Sequence, residues 1–243
     1  MTQPRAPKND DGRARARCAR WQIKRVRRLA FLLLPAAGLL PALAHADDPP
    51  ACNAWNVEYA IDGTLRISDT TMGAGDGVHR IGTGKLVVRY DNVGNQPGGT
   101  AKVVGYEMPF KFTVSAYVLG LGTTIVNEST SRTIPNACGV SAEGTLCADH
   151  ALRWYTPWNG LHADGTQDCS GSMCGRMGAP PRGRSALHMP PHPVEFNPFV
   201  FSADLKTFRM PYVVTRRSSK DTAGITLEGR ETRRTCVHVP PCP

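Results

Sequence analysis

The feature that most constrains this chain is an alternation of apolar and polar residues with a period of two. It recurs in short blocks from residue 55 onward. Trp55, Val57, Tyr59 and Ile61 alternate with Asn56, Glu58 and Ala60, and Phe110, Phe112, Val114 and Ala116 alternate with Lys111, Thr113 and Ser115. Successive side chains of a strand point to opposite faces, so this pattern places one face in a core and the other in water. Further β-rich blocks lie at 85–90, 101–106, 123–126, 194–201, 208–215, 224–230 and 232–239. No segment carries an apolar stripe of helical period over a helical length. Asp62-Gly63 reads as a hairpin turn and Gly82-Thr83-Gly84-Lys85 as a turn into a strand. Pro198 argues that 194–201 is an edge strand or carries a bulge. Eight to ten short strands with turn signals between them predict a mainly β fold: an antiparallel β-sandwich, with a barrel as the second choice.

Residues 136–193 interrupt this regularity. They are rich in Gly and Pro, hold four cysteines, and contain the run Trp154-Tyr155-Thr156-Pro157-Trp158-Asn159-Gly160. This passage reads as a long disulfide-stapled loop inserted into a single β-rich domain spanning 47–243.

The charge of +9 invites a nucleic-acid reading, so its location matters. Residues 1–46 carry ten Lys or Arg against Asp10 and Asp11, whereas 47–243 carry nineteen against eighteen Asp or Glu. The basicity therefore belongs to the N-terminal segment, and no nucleic-acid partner is expected. That segment has a basic region ending Lys24-Arg25-Val26-Arg27-Arg28, an apolar run at 29–43, and the small-residue site Ala44-His45-Ala46. This is the build of a secretory signal peptide over 1–46, cleaved before Asp47. A fifteen-residue helix would span only ~22 Å against a hydrocarbon core of ~30 Å. No transmembrane segment is expected after cleavage, and the mature chain is expected to be secreted or periplasmic.

Export exposes cysteines to an oxidising compartment. Seven follow the leader: Cys52, Cys138, Cys147, Cys169, Cys174, Cys236 and Cys242. Cys169 with Cys174, and Cys138 with Cys147, are close enough in sequence to close small loops. Cys52 with Cys236 or Cys242 would pin the two chain ends. An odd count leaves one thiol over, either buried or free to link a homodimer.

The chemistry-bearing candidates concentrate in the central passage. Trp154, Tyr155 and Trp158 offer flat apolar faces with polar tips, suited to a glycan or another surface or envelope ligand; the competing reading is a buried aromatic plug under the loop. His150, His162, His188 and His192 are the imidazoles there. His188 and His192, with Met173 and Met177, supply soft-metal donor types, but Pro190 and Pro191 hold the backbone extended and no third imidazole or thiolate stands at a recognisable interval. No metal and no cofactor is expected. Asp164-Gly165-Thr166-Gln167-Asp168 lacks the alternating acids of a calcium loop and reads as a turn. Asn127-Glu128-Ser129 is a glycosylation sequon. No nucleophile elbow or zinc-protease helix occurs, and Asp149-His150 would need a free cysteine to form a nucleophile and base. The leading expectation is a non-enzymatic binding or adhesion module. A secreted hydrolase with its site beside 136–193, and an assembly protein crosslinked through the odd cysteine, are the alternatives.

Overall fold

A computed structural model describes residues 52–69, 77–118, 121–176, 179–217 and 221–242; the leader and its cleavage site, Met177, and residues 218–220 between the expected blocks 208–215 and 224–230 lie outside these residues. Eleven strands, and no helix among the described residues, make up the fold: β1 (Ala54–Asp69), β2 (Gly77–Asn92), β3 (Pro97–Val118), β4 (Leu121–Arg132), β5 (Ala142–Leu146), β6 (Ala151–Trp154), β7 (Trp158–Gly171), β8 (Gly183–Val194), β9 (Phe199–Phe201), β10 (Thr207–Arg217) and β11 (Asp221–Val237). Every strand pair is antiparallel.

The sheet runs β2-β1-β11-β10-β9-β6-β5-β3-β4-β7-β8, and a further pairing of β2 with β3 closes its first eight strands into a barrel. The architecture is thus the barrel and not the sandwich. What decides it is the length of β3. Residues from Pro97 to Glu107 pair with β2, while Glu107 to Val118 pair with β4. One strand closes the barrel with its first half and carries β4, β7 and β8 outward as a four-stranded wing with its second.

Alternation places the core inside the barrel. Val57, Tyr59, Ile61, Leu86, Val88, Ala101, Val103, Met108, Leu152, Phe199, Met210 and Leu227 are buried there, while Asp62, Thr64, Arg66, Arg209, Glu228 and Arg230 point outward and are exposed. An apolar interior with a charged exterior is the arrangement of a water-facing barrel; a membrane-spanning barrel carries its apolar band outside. The interior is filled by side chains. Phe199 stacks on Phe208 at 4.9 Å, and Tyr59 meets Phe208 edge-on at 5.3 Å. The Tyr59 hydroxyl donates to the Leu205 carbonyl at 2.9 Å and lies 3.4 Å from that of Tyr90. Burial pushes both phenols far above their ordinary range.

Several glycine turn signals prove to be strand interiors. Gly63 sits within β1, where a Cβ would collide with Met108 and Ile81; the missing side chain makes room for theirs. Gly82 and Gly84 lie in β2, and the stretch 164–168 is the middle of β7, with Gly165 against the backbone of Glu128 and Ser129. The block expected at 101–106 and the alternation from Phe110 to Ala116 form one strand, β3, and the blocks at 224–230 and 232–239 fall on one strand, β11, and its C-terminal end. Residues 195–198, with Pro198, separate β8 from β9.

The passage 136–193 is likewise not an inserted loop. It contributes β5 and β6 to the barrel and β7 and most of β8 to the wing. Its glycines permit close backbone approach, as at Gly144, which abuts the Arg153 carbonyl, and three of its prolines, Pro190, Pro191 and Pro193, lie at the far end of β8, which ends the sheet order.

Three disulfides hold this frame. Cys52–Cys236 joins the start of β1 to the end of β11 with Cα atoms 5.7 Å apart, Cys138–Cys242 ties the loop before β5 to the C-terminal tail at 5.7 Å, and Cys169–Cys174 closes the tip of β7 at 5.9 Å. These distances suit bridging. The pairing of Cys138 with Cys147 is corrected, since Cys138 reaches a partner 104 residues away that only the fold brings near. Among the described residues no cysteine is free, Cys147 included. Asn53 reinforces the terminal clasp, exchanging side-chain hydrogen bonds with Val239 N and O, both at 2.8 Å.

Candidate functional site

The aromatic run spans the end of β6, a short turn, and the start of β7, and its members part company there. Trp158 is fully buried, packed against Tyr106, Trp154, Phe196 and Phe199 at centroid distances of 4.5 to 5.7 Å. Trp154 is half-buried and meets Trp158 and Phe199 edge-on. Both indoles are therefore core, which corrects the expectation that Trp158 displays a ring to a ligand. Tyr155 alone faces water, at 38% exposure, with its hydroxyl 3.3 Å from Glu143 Oε2. Alternation explains the difference: Trp154 and Trp158 lie on the core side of their strands, and Tyr155 falls in the turn.

Beside this turn, local hydrogen bonds build a cleft of about 310 Å³ lined by Asn136, Ser141, Glu143, Thr156, Pro157 and Asn159, with Val140, Ala142 and Pro193 completing it. The Asn136 side-chain oxygen accepts from the amides of Cys138 (2.9 Å) and Val140 (3.1 Å), curling the chain so that Val140 to Glu143 approach β7. Asn159 N donates to the Ser141 carbonyl at 2.7 Å, Tyr155 N to the Glu143 carbonyl at 3.0 Å, and Glu143 N to Thr156 Oγ1 at 2.8 Å. At Gly160, whose φ is +65°, a Cβ would press on Ile134, so the bulge that turns Asn159 toward the cleft requires glycine. Lys102 Nζ stands 3.5 Å from Glu143.

Buried polar groups concentrate around this cleft. Ser141 Oγ, in its wall, and the indole nitrogens of Trp154 and Trp158, in the cluster adjoining Pro157 and Asn159, have no hydrogen-bond partner among the described residues. Each such group costs about 1–3 kcal/mol when it goes unsatisfied. A second groove of about 520 Å³ crosses the outside of β1, β11, β10 and β9, where Asp62 is paired with Arg80 and Thr83, and Arg209 with Glu228 at 3.4 Å.

Of the four histidines, His162 and His188 meet at Asp164, and His150 and His192 lie elsewhere. His150 lies exposed in the turn between β5 and β6, and His192 Nδ1 is 3.0 Å from the Pro190 carbonyl. His188 Nδ1 meets Asp164 Oδ1 at 2.5 Å across β7 and β8, with His162 Nε2 3.9 Å from the other carboxylate oxygen. The hydrogen bond from His188 holds the Asp164 carboxyl below its ordinary range. Among the described residues no three His, Cys, Asp or Glu side chains are placed to hold a metal ion. Asp149 is paired with Arg153 at 2.7 Å, so the Asp149-His150 nucleophile arrangement has neither a free acid nor a free thiol. Asn127 of the sequon is 7% exposed, opposite Phe112 of β3, and its Oδ1 accepts from Ser129.

Comparison with family models, curated proteins and solved structures found no match to this chain. Sequence reasoning missed Asn136, Ser141, Glu143, Thr156 and Asn159 as one constellation. The Asn136-Ala-Cys-Gly stretch, with its turn chemistry, was the one local signal available; the contact with Thr156 and Asn159 depends on how β5 and β7 dock.

Proposed function

We propose that this chain is an exported, non-enzymatic binding module, acting in the periplasm or at the cell surface, whose ligand seats in the cleft between Asn136–Glu143 and Thr156–Asn159. The observation that carries the reading is a concave site with several neutral polar groups and the exposed ring of Tyr155 at its edge, built on strands held rigid by disulfides. Such a mix of hydroxyl, carboxamide and flat apolar surface suits a polyhydroxylated ligand, a glycan of the envelope being the leading class. The disulfides agree with an oxidising compartment, and the basic and apolar segments of 1–46 supply the export signal on this reading.

Hydrolysis is the weaker reading. Glu143 is the one carboxylate among the described residues lining the cleft, and it is engaged by Lys102 and Tyr155, whereas glycosidase chemistry uses two facing carboxyls. The test is a glycan and envelope-extract binding screen of the mature chain against Tyr155→Ala and Asn159→Ala. Both residues are exposed, so the fold is retained. Loss of a wild-type interaction in both variants supports the site, and binding that survives both variants refutes it.

A further inference from the structure

We propose that two copies of this chain pair non-covalently through β8, antiparallel across a two-fold axis at Ala186. The sheet order has two ends. One, β2, closes on β3; the other, β8, pairs with β7 alone among the described strands. Such an edge offers a row of backbone donors and acceptors, and proteins commonly blunt it with proline or lysine. Here the prolines bracket the edge and leave its middle open. Pro180 and Pro181 precede β8, Pro190, Pro191 and Pro193 occupy its far end, and Gly183 to Met189 contain none.

That seven-residue window is self-complementary. Antiparallel partners must share a face, so the axis falls on a residue, and the midpoint of the window is Ala186. Gly183 then faces the partner's Met189, Arg184 the partner's His188, and Ser185 the partner's Leu187. Ala186 faces the partner's Ala186, and two methyl groups let the backbones approach. The next position pairs Arg182 with the partner's Pro190, which ends the ladder. The exposure of Arg184, Ala186 and His188 alternates with the partial burial of Gly183, Ser185 and Leu187, so both faces remain in phase across the axis.

Charge fits the same register. Arg184 lies opposite Asp168 and His188 opposite Asp164 within each copy, so the Arg184–His188 contact across the seam is flanked on both sides by carboxylates. On the other face Leu187 extends the row of half-buried Phe110, Phe112, Val114 and Ile125, and two-fold pairing continues that row into the second copy. The result is an isologous eight-stranded sheet made from two wings. A seven-residue edge contact belongs to the small interface class, below about 1,200 Å² in total, so the dimer is concentration-dependent.

Sedimentation velocity over a dilution series of the mature chain tests this. Wild type shifts from dimer toward monomer on dilution. Ala186→Lys, at an exposed position, sets two ammonium groups opposite each other and leaves only monomer with an unchanged thermal midpoint. Under mild oxidation A186C yields a covalent dimer whose linked peptides join position 186 to position 186. T113C, exposed on the same face of the wing but away from β8, stays monomeric. A chain that is monomeric at every concentration overturns the proposal, as does a dimer that survives Ala186→Lys, or equal crosslinking of T113C.

Discussion

Replacing Trp158 with alanine separates a core tryptophan from a displayed one. Trp158 is 0% exposed and touches four aromatic rings. Burying an indole removes on the order of 200 Å² from water, an upper estimate of ~5 kcal/mol at ~25 cal/mol/Å². Measured Trp→Ala losses in cores run at about 3–5 kcal/mol. The unpartnered Nε1 of Trp158 offsets part of this, because deleting an unsatisfied buried donor returns about 1–3 kcal/mol. A net loss of about 3 kcal/mol follows, which lowers the midpoint of a domain this size by roughly 6–12 °C. Trp158→Phe keeps an aromatic ring in the cluster and removes the N–H, so its loss is expected to be less than half that of the alanine variant. Differential scanning calorimetry with urea titration measures both. Trp154→Ala in a double-mutant cycle should show coupling of about 0.5–1.5 kcal/mol, since the two indoles meet edge-on at 5.3 Å. A Trp158→Ala protein with an unchanged midpoint and lost ligand binding would refute the core assignment.

Other perturbations have outcomes set by the same geometry. Removing Cys52–Cys236 by double alanine substitution opens a loop with a sequence separation of 184, for which chain entropy alone gives about 5 kcal/mol. The expected loss is about 2–5 kcal/mol by urea unfolding, and a loss below about 1 kcal/mol would show that the Asn53 clasp suffices. The carboxyls of Asp62, Glu107, Glu128, Asp164 and Asp204 are all held below their ordinary range, chiefly by hydrogen bonds from Thr83, Arg132, Lys111, His188 and Ser202 respectively. A folded-state pKa below the unfolded one stabilises at pH values above the unfolded pKa, and that stability is lost as pH falls through the folded value. The urea midpoint should therefore fall from about pH 4 downward, and a midpoint constant to pH 2 would contradict these pairings. Gly165→Val drives a side chain into the Glu128 and Ser129 backbone, so hydrogen exchange should accelerate across β4, β7 and β8 by the equivalent of about 1–3 kcal/mol while β1 and β11 keep their protection.

The period-two alternation of Trp55 to Ile61 and Phe110 to Ala116 was sufficient to declare strands and to say which side chains face inward. That information is local, since it needs only the pleat. The cysteines similarly declared a stapled chain, and Cys52 declared itself a terminal pin. The sequence misled at glycines. Gly63, Gly84 and Gly165 carry the same letter as a turn glycine, yet each is in a strand because another strand's backbone or side chain occupies the space of its Cβ. The three-aromatic run was correctly flagged as unusual, but its division into two core indoles and one surface phenol depends on where β6 ends and β7 begins.

Closure belonged to tertiary structure alone. Whether strands of this composition form two packed sheets or one barrel turns on the pairing of β2 with the first half of β3 and on β9, three residues long, bridging β6 to β10. Those contacts join residues far apart in sequence, and an alternating pattern is indifferent to the identity of its neighbour. The union of Asn136, Ser141 and Glu143 with Thr156 and Asn159 arose from the β5–β6 hairpin and from the start of β7 returning over Ser141. Sequence alone determined which atoms must be hidden from water; the three-dimensional pairing decided from which strands the walls of the cleft are built, because that choice is made by non-local hydrogen bonds and packing.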